Sequence, residues 1–170
     1  MLEHRLGVVF RQGLAFTLAL AFASVLGCAR AQTADPATSP QSRPTEGLTV
    51  QTSTGPVRFT VQYAGDDATR EKGLMFVRSM PENQGMIFDF GGPLGVDFWM
   101  KNTYIPLDML FVAADGHILN IAHQAKPFDE TPITSGGIIR AVIEIDGGVA
   151  DKLGIHTGDL VTDTKVFPAR

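Results

Sequence analysis

The densest mixture of functional side chains in this sequence lies between positions 99 and 108. Within ten residues the chain carries an indole, an amine, an amide, a hydroxyl and a carboxylate: Trp99, Lys101, Asn102, Thr103 and Asp108. Such groups can hold a ligand through stacking, hydrogen bonds and charge. On a regular strand Trp99, Lys101 and Thr103 share one face, because successive side chains point to opposite faces. This segment is the first candidate for a ligand-binding surface.

Asn102 and Asp108 also have a structural interpretation. Pro106 fixes its own φ and pushes Ile105 towards an extended shape, so the chain bends between the two polar residues. Asn and Asp side chains commonly stabilise turns by accepting hydrogen bonds from backbone N–H groups. We expect this to be their first role, and we expect Lys101 to be solvated.

Two further candidates lie outside this segment. Glu144 sits in the middle of an apolar run, where it must either face water or pair with a cation such as Lys101. His123 shares a strand face with apolar residues, which favours a hydrogen-bonded histidine at the edge of the core. The alternative is a hydrolase that uses Asp108, Glu144 and His123, because carboxylates and histidine can perform acid–base chemistry.

Five methionines follow Met1, and they suggest a second alternative: Met75, Met80, Met86, Met100 and Met109. Thioethers are soft ligands for copper(I), so a copper-handling protein could use them together with Trp99. Methionine more often fills gaps in an apolar core, and no two of these residues are two positions apart. Core packing is therefore the preferred interpretation, and no metal or cofactor is predicted.

Residues 1–28 have the pattern of an export signal. Arg5 and Arg11 precede an uncharged apolar stretch from Gly13 to Gly27. That stretch is shorter than the roughly 20 residues that span a bilayer as a helix, so a cleaved signal peptide is favoured over a permanent anchor. We expect the protein to be exported to the periplasm.

Cys28 is the only cysteine and directly follows the apolar stretch. Its position resembles a bacterial lipobox, in which the thiol is lipidated and the acyl chains attach the protein to a membrane. The alternative is an ordinary cleavage site after the Ala-Arg-Ala sequence at 29–31, which would leave a freely soluble periplasmic protein. A single cysteine allows no intramolecular disulfide.

The rest of the chain divides into a linker and one domain. Residues 29–47 are rich in Ala, Thr, Ser, Pro and Gln, which predicts a disordered linker. Residues 48–168 are long enough for one core. The formal net charge of −4 and the absence of a lysine or arginine cluster argue against nucleic acid as a partner.

Alternating apolar and polar residues predict about seven strands in the domain, one of them over 96–103. Asp66 or Asp67 begins a short helix that Gly73 ends, and a single turn of helix ends at Gly154. Asp115-Gly116 predicts a hairpin turn. Because the helices are too short to cross a parallel sheet, we expect a mainly β fold: a compact antiparallel β-sandwich or partly closed barrel with one or two short helices.

Three motifs in the domain carry a resemblance to a known family. They are REKGLMF at Arg70–Phe76, GMIFDF at Gly85–Phe90 and FWMKNTYIPLDMLFV at Phe98–Val112. Together they resemble the domain-of-unknown-function 192 family. The resemblance implies a compact β-rich domain that often follows a signal peptide in bacteria, and it implies no activity. Val77 departs from the family pattern, in which arginine often follows the aromatic residue.

These features together predict an exported domain of the cell envelope. The leading hypothesis is a non-enzymatic module that binds a small molecule, a glycan or an envelope protein through the surface around the 99–108 bend. The hydrolase and copper(I) hypotheses stay open beside it.

Overall fold

A computed structural model describes residues 43–169. Two helices, α1 (Asp67–Lys72) and α2 (Val149–Leu153), accompany nine strands. The strands are β1 (Thr45–Thr52), β2 (Gly55–Ala64), β3 (Gln84–Leu94), β4 (Asp97–Phe98), β5 (Leu107–Val112), β6 (Ile118–Ala125), β7 (Ile133–Thr134), β8 (Ile139–Asp146) and β9 (Leu160–Thr162). No helix within residues 43–169 is long and apolar enough to cross a membrane.

Seven strands form one sheet in the order β6-β5-β8-β3-β2-β1-β9, and β4 pairs with β7 in a small second sheet. Neighbouring strands are antiparallel except β2 and β3, which run parallel and are joined through α1. A single bridge between His117 and Leu160 brings the two edges of the large sheet together at one point. The large sheet is therefore a curled half-barrel, which confirms the expected mainly β fold with two short helices.

The large sheet separates two apolar cores, because the side chains of its inner strands alternate between its faces. On β8, Ile143 and Ile145 pack in the first core with residues of β1, β2 and α2. Val142 packs in the second core with Leu74, Met100 and residues of β3 and β5. The second core lies on the face of the sheet that Glu144 shares with Val142.

The short helices begin and end where their sequence predicts. The Asp66 side chain accepts a hydrogen bond from Thr69 N, and Gly73 ends α1 with φ of +47°. Gly154 ends α2 in the left-handed conformation that glycine adopts without steric cost. The hairpin between β5 and β6 turns at Gly116.

Two boundaries differ from the sequence pattern. The strand expected over 96–103 is restricted to Asp97–Phe98, because the backbone turns: Thr103 N donates to Met100 O at 3.1 Å. Thr45 to Gly47, which the composition places in the linker, belong to β1 because their backbone pairs with β2. The leader, Cys28 and the linker as far as residue 42 lie outside the described residues.

Candidate functional site

A cavity of about 390 Å³ opens beside the second core. Helix α1 and the residues after it, Arg70 to Met75, form one wall, and Val96 to Trp99 with Lys101 and Thr103 form another. Phe88 of β3 and Glu144 of β8 line it from the large sheet. Pockets that bind small molecules commonly measure about 300 to 1,000 Å³, so this cavity suits a compact ligand.

The 99–103 loop is held against the segment that follows α1 and against the 128–129 turn by backbone hydrogen bonds. Asn102 adopts φ of +54°, a conformation that asparagine tolerates better than most residues. Its carbonyl oxygen accepts a hydrogen bond from Phe76 N at 2.9 Å, and Met100 N donates to Asp129 O at 2.8 Å. These bonds fix the positions of Trp99, Lys101 and Thr103, so the wall does not depend on a bound ligand for its shape.

Glu144 is the unusual group in this cavity. It lies between Met86 and Met109 on the neighbouring strands and is 5% exposed. Its Oε2 has no hydrogen-bond partner, and no ion pair with Lys101 forms, contrary to the pairing considered from sequence. Burial raises the pKa of this carboxyl to about 8, because the charged form is poorly solvated there.

Aromatic side chains make up much of the remaining lining. Phe98 packs edge-to-face against Phe88, with ring centroids 5.2 Å apart, and against Phe90 at 6.3 Å. Trp99, the only tryptophan of the chain, also lines the cavity and is 50% exposed. The cavity therefore joins apolar aromatic walls to one buried carboxyl group.

The guanidinium of Arg70 is held by the protein itself. It donates to Gly65 O at 2.8 Å and to Asp89 O at 2.6 Å, and it forms an ion pair with Asp67. It also lies over the Phe90 ring, 5.6 Å from the centroid. Arg70 therefore contributes mainly to the position of the wall, whereas the exposed side chain of Lys101 stands at the rim.

Four of the seven candidate binding residues from the sequence line this cavity: Trp99, Lys101, Thr103 and Glu144. Asn102 is adjacent, and its amide nitrogen lies 3.9 Å from the Met75 sulfur. Its part is to shape the loop through its backbone. Neither Asp108 nor His123 lines the cavity.

Asp108 is fully buried on the opposite face of the large sheet. Its two carboxylate oxygens accept hydrogen bonds from Gln124 N at 2.7 Å and from Ala150 N at 2.8 Å. The first bond spans an irregular stretch of the β5–β6 pairing, and the second satisfies an N–H group in the first turn of α2. Asp108 thus joins three elements, whereas the sequence suggested that it stabilises only the 102–108 bend.

The hydrolase alternative requires Asp108, Glu144 and His123 to meet, and the structure does not bring them together. His123 is exposed at the surface, where its Nδ1 lies 3.2 Å from Asp151 Oδ1. The prediction that His123 lies at the edge of the core is therefore wrong, although Asp151 provides the polar partner that was expected for it. Asp108 and Glu144 project from opposite faces of the sheet, so they cannot act on one substrate atom.

The methionines considered for copper(I) pack mainly in the apolar interior. Met86, Met100 and Met109 are fully buried in the second core, and Met80 packs against it. This agrees with the core-packing interpretation. Among residues 43–169, no group of three or more His, Cys, Asp or Glu side chains could hold a metal ion.

Three exposed or partly exposed aromatic rings lie beside the same loop. Phe76 and Phe128 both have positive φ, +67° and +63°, which is costly for residues with a bulky side chain. Their rings pack against Tyr104 at centroid distances of 6.1 and 5.2 Å. Arg78 lies over the Tyr104 ring. No sequence signal predicts this cluster, because neither phenylalanine favours the left-handed conformation.

Other wall residues were also missing from the candidates chosen by residue type, among them Arg70, Phe88 and Phe90. The available signal was the REKGLMF and GMIFDF motifs, which contribute the α1 wall and the β3 side of the cavity. Their apolar members look like ordinary core residues in sequence, so only the fold reveals that they border a cavity.

Comparisons with known proteins agree with this fold. The family model DUF192, described as Uncharacterized ACR, matches residues 48–162. A Sinorhizobium meliloti 1021 protein named as a candidate transcription regulator is 42% identical; the match covers 71% of this chain and 94% of that one, with a TM-score of 0.69. A protein of unknown function from Novosphingobium aromaticivorans DSM 12444 is 43% identical, with coverages of 76% and 93% and a TM-score of 0.70. No curated protein matches the chain.

Proposed function

The chain belongs to the DUF192 family, and from that premise we propose that its domain is a non-enzymatic module that binds a small molecule in the cavity beside Glu144. One observation carries the proposal: a carboxyl group with an unpartnered oxygen lines an apolar cavity. Leaving a buried polar atom without a hydrogen bond costs about 1 to 3 kcal/mol. Such atoms are rare in native proteins, and a bound molecule that pairs with the atom is one explanation for them.

The other groups around the cavity support a binding role over catalysis. Trp99 offers an exposed aromatic face and Lys101 an exposed charge at the rim, and both suit recognition. Glu144 has no second titratable group at hydrogen-bonding distance among the described residues, whereas acid–base catalysis requires one near the reacting atom. A binding pocket needs no such pair.

The name of the Sinorhizobium relative raises DNA binding as a rival function. Two properties of this chain weigh against it. The formal net charge is −4, and the two described helices contain six and five residues, too few for the recognition helices that enter a major groove. A ligand-binding module is the better match to these properties.

We further propose that the domain works in the cell envelope after export. The apolar stretch from Gly13 to Gly27 behind two arginines supports a cleaved leader, and Cys28 at its end supports attachment by lipid. In that location the ligand would be a molecule that is present in the periplasm.

The single tryptophan provides the test of binding. A library of compact amines, acids, alcohols and amides should contain compounds that change Trp99 fluorescence saturably. Val96→Phe places a larger side chain in the cavity lining and should abolish these responses, whereas His123→Ala, at a site remote from the cavity lining, should preserve them. The proposed function is refuted if the fluorescence responses persist unchanged in Val96→Phe. It is also refuted if no compound of the library changes Trp99 fluorescence at millimolar concentrations.

A further inference from the structure

We infer that the cavity takes a small organic ammonium ion, whose positive charge pairs with the Glu144 carboxylate between the aromatic walls. This inference rests on the proposed function and adds the chemical class of the ligand. Three observations support it: the Glu144 carboxyl has an oxygen without a partner, aromatic rings line the cavity, and the other buried polar side chains of the lining already have partners.

Three kinds of ligand group can pair with Glu144. A cation or a neutral hydrogen-bond donor pairs with its carboxylate, and a hydrogen-bond acceptor receives the proton of its neutral form. Its protein neighbours supply none of these, because Met86 and Met109 flank it on the adjacent strands and Oε2 has no partner.

The walls favour the cation. Aromatic rings carry negative charge on their faces and attract ammonium groups, most strongly where water is excluded. Phe88, Phe90, Phe98 and Trp99 all line the cavity that Glu144 lines. A carboxylate and several rings around one small space form the type of environment that recognises alkylated ammonium ions.

The shortage of other free polar groups argues against a ligand rich in hydroxyl groups, such as a sugar. Thr103 Oγ1 already donates to Lys101 O at 3.2 Å, and Arg70 is occupied by Gly65, Asp67 and Asp89. Among the described lining residues, Glu144 is the one buried side chain with an unpartnered polar atom. A glycan would leave most of its hydroxyls unpaired inside the cavity, whereas an ammonium ion with alkyl substituents needs one negative partner.

Binding of a cation must change the protonation of Glu144. The other charged groups around the cavity are Arg70, Glu71 and Lys72 of α1 with Asp97 and Lys101. Because burial raises the pKa of Glu144 to about 8, the carboxyl must lose its proton when a cation binds at lower pH. Affinity for the cation should therefore increase from pH 6 to pH 8, and protons should be released on binding below pH 8.

Two probes of nearly the same shape separate charge from size. Choline carries a positively charged quaternary nitrogen at the position where 3,3-dimethylbutan-1-ol has an uncharged quaternary carbon. Trp99 fluorescence titrations of the full chain at pH 8 should show choline binding at least about tenfold more tightly than the alcohol, a ratio of the size that cation–π and ion-pair contacts provide. Glu144→Gln should remove most of that preference, and Glu130→Gln, at an exposed carboxylate outside the cavity lining, should keep it.

Equal affinities for the two probes, or a choline preference that is undiminished in Glu144→Gln, would overturn the ammonium inference. If the alcohol binds as well as choline and Val96→Phe abolishes both signals, the cavity still binds small molecules and only the ligand class is wrong. If neither probe binds and the wider library also fails, the proposed function fails with it. A cooperative thermal melt of Glu144→Gln shows that the variant is folded.

Discussion

Glu144 and Asp108 are buried carboxyl groups on adjacent strands, and they project from opposite faces of the same sheet. Asp108 pairs in register with Ile145, while Met109 pairs with Glu144. Both oxygens of Asp108 accept backbone N–H bonds, whereas Oε2 of Glu144 has no partner. Asp108 therefore has a structural role, whereas Glu144 is the group to which we assign binding, and substitutions should distinguish the two.

Replacing Asp108 should destabilise the domain. Asp108→Ala leaves Gln124 N and Ala150 N without an acceptor, so we expect a loss of about 3 kcal/mol in the free energy of unfolding. Asp108→Asn retains one acceptor oxygen and should lose less. Urea melts of both variants provide the measurement. A urea midpoint of Asp108→Ala equal to that of the parent would contradict the structural role of Asp108. Because Asp108 does not line the cavity, the folded fraction of the variant should bind choline as the parent does.

Glu144 should lower stability as the pH rises. Its pKa is about 8 in the folded protein against 4.5 in an unfolded chain, so the folded state binds the proton more tightly. Its contribution is complete below about pH 4.5 and is lost between that value and pH 8, with a total on the order of 3 to 5 kcal/mol. Urea midpoints of the parent and of Glu144→Gln should therefore diverge across this range.

The matched control for that titration is Glu71→Gln, because Glu71 lines the same cavity but is exposed. The difference between the parent and this variant should stay nearly constant from pH 4.5 to pH 8. If the urea midpoints of the parent and of Glu144→Gln change in parallel with pH, Glu144 is ionised in the folded domain and the prediction is wrong.

Gly85 should tolerate no side chain. A Cβ atom at this position would overlap the carbonyl oxygen of Glu144 and press on the Ile145 side chain, so β3 and β8 would have to separate. We expect Gly85→Ala to cost about 2 kcal/mol or more and to weaken binding in the cavity. Gly47→Ala is the control, because no atom lies within 4 Å of its Cβ position. Chemical denaturation of both variants is the test, and equal stabilities would refute the close approach.

Cys28→Ala should convert a membrane-attached protein into a soluble periplasmic one. No other thiol in the chain can carry the lipid, because Cys28 is the only cysteine. Full-length parent and variant should be expressed in a Gram-negative host and fractionated. Identical soluble periplasmic fractions would leave export without lipidation, and retention of both proteins in the cytoplasm would refute export itself.

Local sequence signals predicted most of the elements but only part of the site. The α1 cap at Asp66, its end at Gly73 and the turn at Gly116 depend on nearby residues, and all three are present. The orientation of Asp108 depends on β5 pairing with β8, which begins 31 positions further along the chain, so the 102–108 segment alone could not reveal it.

The residues that line the cavity likewise include some that the sequence predicted and some that it did not. Trp99, Lys101 and Thr103 were identified because their side chains carry functional groups, and Glu144 because a carboxyl in an apolar run is unusual. Phe88 and Phe90 were missed because phenylalanine in a strand normally indicates core packing. Only the three-dimensional arrangement of α1 and β4 leaves space beside these rings.

The position of β8 between β3 and β5 has a consequence for the order in which the domain can form during synthesis. β1, β2 and β3 can pair as soon as they leave the ribosome, and β5 and β6 can form their hairpin, but no strand pairing joins the two groups before residues 139–146 emerge. Until then each group exposes an unpaired strand edge, and such long-range pairing is slow. A chain that has left the ribosome only as far as β7 cannot complete its large sheet, and its open strand edges can pair with other chains until β8 is synthesised.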